Sequence, residues 1–238
     1  MKFSKIKLNI IKKIRDIYFL IKFGRGKFLI KYFRTFLYYL NQKKDFNFNF
    51  EDTNFSNIWF YQNVPYMHLF LLNQKNKIKY ILEIGSYEGQ SAFFFLKYFK
   101  NSSITCVDIW EDQESNYKNI NFKNIEETFD KNLYNLQSRI IKKKKTSNFF
   151  FKTNFKKDFD LVFIDGSHYI KHVYQDAVNS FKCLRLGGYI LFDDYLFNYR
   201  SQSNSHPIFA INKFLKKYRK KIKIIAIYRQ VLIKKISN

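Results

Sequence analysis

Tyr80-Ile81-Leu82-Glu83-Ile84-Gly85-Ser86-Tyr87-Glu88-Gly89 decides the fold: five largely apolar residues run into a turn bracketed by two glycines. A helical stretch, Gly89–Phe99, follows directly, so the segment reads as strand, turn, helix. Working outward, the same alternation recurs. Strand-like runs lie at Ile104–Ile109, Arg139–Lys143, Phe159–Ile164 and Tyr189–Phe192, with helical stretches at Asn124–Gln137 and Tyr169–Leu184 between them. Short apolar strands separated by helices, with Gly or Asp at the strand ends, indicate a parallel doubly wound sheet. A last helix, Pro207–Tyr218, precedes Ile222–Tyr228 and Val231–Ile236. Their connection is too short for a right-handed crossover, so this pair is expected to be antiparallel.

The expected fold class is therefore α/β: a Rossmann-like, doubly wound seven-stranded sheet, mostly parallel with an antiparallel C-terminal strand, plus an N-terminal basic helical extension. Three regions follow. Residues 78–238 form the α/β domain, and residues 45–77 a polar-aromatic linker with a cap helix around Ile58 to Gln74. Residues 1–44 carry 13 basic residues and one acid, Asp16. In that extension Phe3, Ile6, Ile10, Ile14, Ile17 and Ile21 recur at helical spacing. Gly24-Arg25-Gly26 interrupts the stripe, and Leu29, Phe33, Phe36, Leu37 and Leu40 resume it. Such a basic amphipathic pair either caps the domain or a second subunit of a homo-oligomer, or lies on an anionic membrane surface.

The chain has 238 residues and a net charge of +24, which would ordinarily point to nucleic acid or an anionic surface. Lys, Asn, Ile, Phe and Tyr, all written with A/T-rich codons, dominate the composition, so nucleotide bias accounts for much of that charge without a polyanionic partner. Cys106 and Cys183 have neither metal-ligand spacing nor a neighbouring His, which suits reduced structural thiols in the cytoplasm. The longest early apolar run, Ile17 to Ile21, is too short for a secretory signal. No stretch approaches the roughly 18 apolar residues of a membrane span. The expected location is cytoplasmic, with peripheral contact at the inner membrane surface as the variant that residues 1–44 suggest.

In such a sheet, ligands bind beyond the carboxyl ends of the strands. A dinucleotide fingerprint would need glycines at 85, 87 and 90, where this chain has Gly, Tyr and Gln. What it has is E-x-G-x-x-x-G. Asp108 ends the second strand, where an acid can accept both hydroxyls of a ribose. Asp165-Gly166-Ser167-His168 follows the fourth strand, and Gly187-Gly188-Tyr189-Ile190-Leu191-Phe192-Asp193-Asp194-Tyr195 surrounds the fifth.

These four ordered motifs resemble the class I S-adenosylmethionine-dependent methyltransferases, in particular the branch with a D-G-x-H loop followed by G-G-x(4)-D-D. That branch is methyltransferase domain family 24-like and similar to metal-dependent sugar and small-molecule O-methyltransferases. The resemblance runs from about Ile78 to the C-terminus. It implies that Glu83, Gly85, Ser86 and Gly89 surround the methionine part of S-adenosylmethionine and that Asp108 holds the ribose. Ser147 would contact the adenine, while Asp165 and Gly166 would flank the amino group or sulfonium.

Methyl transfer from a sulfonium is an in-line displacement that needs alignment and exclusion of water more than a nucleophilic side chain. The acceptor must still lose a proton. Asp165, Asp193 and Asp194 stand at the ends of neighbouring strands and together suit one hard cation such as Mg²⁺, which would acidify a coordinated hydroxyl. The alternative is a polar turn without metal, with His168 as general base. His68, His172 and His206 have no partners at ligand spacing. Pro65 and Pro207 are the only prolines, so the Pro-Pro-aromatic loop of amino-methylating nucleic-acid enzymes is absent. Neither cysteine follows a proline, which removes the C5-cytosine type. The expected acceptor is a small molecule, a sugar hydroxyl first, and not nucleic acid. From another class comes a non-catalytic peripheral or scaffold protein that retains the fold.

Overall fold

The computed structural model describes residues 14, 16–18, 20–22, 27–45, 48–50, 52–111, 124–153, 159–197 and 204–238. Phe3, Ile6, Ile10 and Gly24-Arg25-Gly26 lie outside them. Seven strands form one sheet: β1 (Tyr80–Ile84), β2 (Ser103–Asp108), β3 (Ile140–Lys144), β4 (Phe159–Ile164), β5 (Leu184–Phe192), β6 (Ile222–Ile227) and β7 (Val231–Lys235). Their spatial order is β3-β2-β1-β4-β5-β7-β6. Pairs β1–β2, β1–β4, β2–β3 and β4–β5 are parallel; β7 is antiparallel to both β5 and β6. The order reverses between β1 and β4, and the crevice above their carboxyl ends is where such sheets bind ligands.

The helices are α1 (Lys27–Asp45), α2 (Val64–Leu71), α3 (Gln90–Tyr98), α4 (Ile125–Asn132), α5 (Ser147–Thr153), α6 (Ile170–Cys183) and α7 (Pro207–Lys217). Tyr80–Ile84 and Phe159–Ile164 coincide with the expected strands. β5 begins five residues earlier than its apolar run because Gly187 (φ +82°) and a register irregularity between Phe159 and Leu161 carry the pairing back to Leu184. The expected helix Asn124–Gln137 stops at Asn132 and continues as a 3-10 turn, Tyr134–Arg139. There Arg139 donates to the carbonyls of Leu96, Phe99 and Ser102 and ties the segment down. α5 was not legible in the sequence; its residues SNFFFKT show no helical stripe.

The core is unusually phenolic and phenylic. Phe60, Phe94, Phe95 and Phe163 meet at centroid distances of 5.4–5.8 Å and weld the cap segment to α3 and β4. The polar clamp Asp160 accepts from the N–H groups of Lys79 and Tyr80 and pairs with Arg185, fixing the amino ends of β1 and β4.

The N-terminal stripe needs correction by one position. Phe28, Tyr32 and Thr35 are buried, with Phe36 and Tyr39 partly so, whereas Phe33, Leu37 and Leu40 face outward. The inner rings of Tyr32, Phe36 and Tyr39 surround Tyr228 at 5.3–5.7 Å. Lys31 Nζ donates to the carbonyl of Ile224 on edge strand β6 at 2.8 Å. Upstream, Leu20 and Asp16 are buried while Ile14 and Ile21 are exposed. Among the described residues no helix is long and apolar enough to cross a membrane.

Candidate active site

A cavity of about 880 Å³ opens above the carboxyl ends of β1 through β5. Its first wall is the turn after β1. Gly85 (φ +87°) sits so near β4 that a Cβ would collide with the Asp165 carbonyl and the Gly166 Cα. Only glycine permits this approach, which holds the two ligand-facing turns together. Gly89 (φ +84°) starts α3 and packs against Leu133 and Phe129.

Asp108, at the end of β2, organises this turn. Its Oδ2 accepts from the N–H groups of Ser86 (2.7 Å) and Tyr87 (2.9 Å), and its Oδ1 from that of Trp110 (2.8 Å). Trp110 Nε1 returns a bond to the Tyr87 carbonyl. Two of the expected cofactor residues stand behind the wall instead of on it. Strand alternation turns Glu83 away from the cavity that Ile84 and Gly85 line. There it accepts from the Ser91 hydroxyl at 2.6 Å, and burial pushes its carboxyl up to about 7. Gly89 likewise lies beneath the surface, its Cα packed on α4 and the turn after it.

The far wall carries the acids. Asp165 is half-buried in the cavity wall, and desolvation of its carboxyl, with the charge of Asp193 beside it, holds it well above the usual range. Asp193 is pushed up to about 7 by burial and then by Asp194. Asp194 has φ +53°, a left-handed conformation that a non-glycine residue adopts at a cost. That backbone donates the Asp194 N–H to Asp193 Oδ1 at 2.8 Å and swings its own carboxylate onto His168: Oδ2 lies 2.6 Å from Nε2. Phe197 stacks on the imidazole at 4.3 Å with a 16° interplanar angle, so ring position and plane are both fixed.

The cavity therefore brings together Gly85, Ser86, Asp108, Ser147, Asp165, Gly166, His168, Asp193 and Asp194. It does not gather the three aspartates into a cage. Among the described residues no three His, Cys, Asp or Glu side chains are spaced to hold a metal ion. The reason is local: the carboxylate of Asp194 is taken up by His168.

Sequence reading missed the residues that the cap segment supplies. Ser56 N–H donates to Glu88 Oε2 at 2.7 Å and Phe60 N–H to Gln90 Oε1 at 3.1 Å, clamping the segment over the β1 turn. This brings Asn57, Trp59 and Asn63 to the cavity rim, with Trp59 5.4 Å from Tyr87. Glu88 and Gln90, polar residues at a buried helix start, were the available signal. Asp176 and Arg229 also line the cavity unannounced.

Residues 82–195 match the methyltransferase domain family. Among curated proteins the chain is similar to R132, an uncharacterised protein of Acanthamoeba polyphaga mimivirus, with 30% identity over 146 residues, 60% of this chain and 61% of that protein. The chain thus spans less than two-thirds of that relative's length. Among solved structures, cofactor-bound Rv0187 from MTB superposes with a TM-score of 0.57 at 13% identity, covering 94% of this chain and 97% of that one. The O-methyltransferase TomG from Streptomyces achromogenes, in complex with SAM, gives 0.56 at 14% identity over 94% and 96%. At these identities the likeness is one of fold. Residues 82–195 thus match a methyltransferase domain, and the fold around them is one that these solved structures share.

Proposed function

We propose that the chain transfers the methyl group of S-adenosylmethionine to a hydroxyl of a small molecule, a sugar or glycoside before other classes. The observation that carries this reading is the His168–Asp194 pair facing the same cavity as the Gly85 turn and Asp108. When bound, the cofactor supplies an electrophilic methyl on a sulfonium. Asp108 offers its remaining acceptor capacity to the ribose, and the Gly85–Gly166 approach leaves backbone, not side chain, against the amino-acid part. Asp165 and Asp193 place negative charge beside the sulfonium region. The His168 imidazole takes the proton of the acceptor hydroxyl as its oxygen bonds to the methyl carbon; the S–CH₃ electron pair stays on sulfur. The Asp194 carboxylate stabilises the imidazolium that forms. Trp59 and Asn63 close the rim against water.

The test is titration calorimetry with S-adenosylhomocysteine, then methyl transfer from labelled cofactor to a panel of sugars and phenols. Binding followed by labelled sugar is the expected result. No binding overturns the cofactor assignment and favours a scaffold that retains the fold.

Mg²⁺ is a second reading, favoured by Asp165 and Asp193 standing on the same cavity wall, where the charge of Asp193 adds to desolvation in raising the Asp165 carboxyl. As placed, the donors would close on a cation only if Asp194 left His168. Equal turnover with EDTA and with Mg²⁺ removes the metal from the mechanism.

The outward face of α1 supports a peripheral location in the cytoplasm, against an anionic membrane. Ile30, Phe33, Leu37 and Leu40 are 40–70% exposed there, in a segment whose 13 bases outnumber its one acid, Asp16. Cosedimentation with phosphatidylglycerol vesicles but not with phosphatidylcholine alone is expected. A dimer in sedimentation velocity, with no vesicle binding, assigns the face to a second copy instead.

A further inference from the structure

Arg229 stands in the turn between β6 and β7, half-buried, and lines the main cavity. Its backbone is held on both sides. Tyr228 N–H donates to the Gln230 carbonyl at 2.9 Å and closes the turn, while the Arg229 carbonyl accepts from Tyr195 N–H at 2.8 Å. The side chain is held as well: Nη1 donates to Gln62 Oε1 of the cap segment at 3.1 Å, and Cζ lies 5.8 Å from the centre of the Tyr228 ring. These contacts orient the guanidinium and leave most of its N–H donors unused.

The cavity is rich in acids, yet no carboxylate among the described residues forms an ion pair with Arg229. Asp194 is engaged with His168 at 2.6 Å, and Asp193 accepts from the Asp194 N–H. Among the described residues that line the cavity, the other Lys or Arg is Lys145. It follows β3, where its N–H donates to the Asp108 carbonyl, so it belongs to the opposite end. At the β5–β7 end a positioned guanidinium thus faces the cavity with no anion of the chain to match it. His168 is tied to Asp194, and the Arg229 backbone to Tyr195, the next residue. The proton acceptor and the cation are therefore anchored to consecutive positions, and one small molecule can reach both.

We propose that Arg229 binds a negatively charged group on the methyl acceptor, so that the substrate is an acidic sugar bearing a carboxylate or a phosphate as well as the hydroxyl that is methylated. A guanidinium presents parallel N–H groups that match either anion in a two-point contact, and fixing it beforehand lowers the ordering cost of binding. A neutral sugar leaves this cation unmatched. An acidic sugar without Arg229 would meet only the repulsion of Asp193 and Asp194. Arg229 acts in acceptor recognition and takes no part in the proton transfer.

This inference rests on the S-adenosylmethionine reading, and the experiment separates the two. The full chain, saturated with S-adenosylhomocysteine, is titrated in a calorimeter with glucose, glucuronate and glucose 1-phosphate. Binding of one charged probe at least about tenfold tighter than glucose is expected, and the tighter of the two tells a carboxylate from a phosphate. Arg229→Gln should bring that probe to within about twofold of glucose and leave S-adenosylhomocysteine affinity within about twofold. If that variant fails to fold, Arg229→Lys, which keeps the charge but not the planar fork, should reduce the preference by about threefold or more. Arg219→Gln removes the same charge from an exposed position after α7 and should leave the preference intact. Charged probes that bind no tighter than glucose, a preference that survives substitution of Arg229, or an equal loss in Arg219→Gln overturns the role of Arg229 and leaves the cofactor reading standing. Failure of S-adenosylhomocysteine to bind the full chain overturns both.

Discussion

Asp108 does two jobs with one carboxylate. A carboxylate offers about four lone-pair directions, and three are used by the N–H groups of Ser86, Tyr87 and Trp110. The fourth is what remains for a ribose hydroxyl. Asp108→Asn replaces an acceptor with an NH₂ group facing N–H donors, and hydrogen bonds to a charged group contribute about 1.5–3 kcal/mol each. We expect S-adenosylhomocysteine affinity to fall more than tenfold in calorimetry, together with a lower melting temperature; a lower melting temperature with unchanged affinity would reduce Asp108 to a turn brace. His168→Gln tests the other end of the cavity. Removal of a general base typically lowers turnover by about 10²–10⁴-fold, whereas cofactor affinity should stay within about twofold because the imidazole faces the acceptor. Loss of affinity equal to the loss of rate would place His168 in cofactor binding.

At the level of elements, strands were legible where their residues are uniformly apolar and helices where a stripe repeats. β1 and β4 are flanked by partners on both sides, so Tyr-Ile-Leu-Glu-Ile and Phe-Asp-Leu-Val-Phe-Ile could be read without knowing those partners. The bulge in β5 was not legible, because it depends on Gly188 lying close to the Asp160 carbonyl of the neighbouring strand β4 and to Leu184 of its own strand. Likewise α1 is apolar on two faces, and sequence periodicity alone cannot say which one meets β6. Tyr228 resolves that choice: it is 6% exposed and touches three rings of α1. Large-to-small changes at such aromatic positions cost about 3–5 kcal/mol. Tyr228→Ala should therefore lower the melting temperature and move the first site of limited proteolysis into α1. Unchanged protection of α1 would show that Lys31 and the outer contacts suffice to dock it.

For the whole molecule, the contrast is between a chain of net charge +24 and a cavity lined by Asp108, Asp165, Asp176, Asp193 and Asp194. The motifs around these acids were readable one by one, but their mutual repulsion was not, since it exists only once the topology converges β4 and β5. The repulsion has a sign that can be measured. Asp193 and Glu83 are raised to about 7 and Asp176 to about 6, in each case first by burial. Between the ordinary carboxylate range and those values the folded chain keeps protons that the unfolded chain has released. Stability from these groups is then greatest at low pH and is lost as pH rises towards 7. The ligand-free chain should melt at a higher temperature at pH 5.5 than at pH 8, and Asp193→Asn, which removes a poorly solvated charge without changing shape, should flatten that slope. A sulfonium placed among the acids opposes their repulsion as well, so S-adenosylmethionine should raise the melting temperature more at pH 8 than at pH 5.5. Thermal melts at the two pH values, with and without cofactor, measure both differences. A slope of the opposite sign that Asp193→Asn leaves untouched would mean that the acids are already neutralised inside the fold.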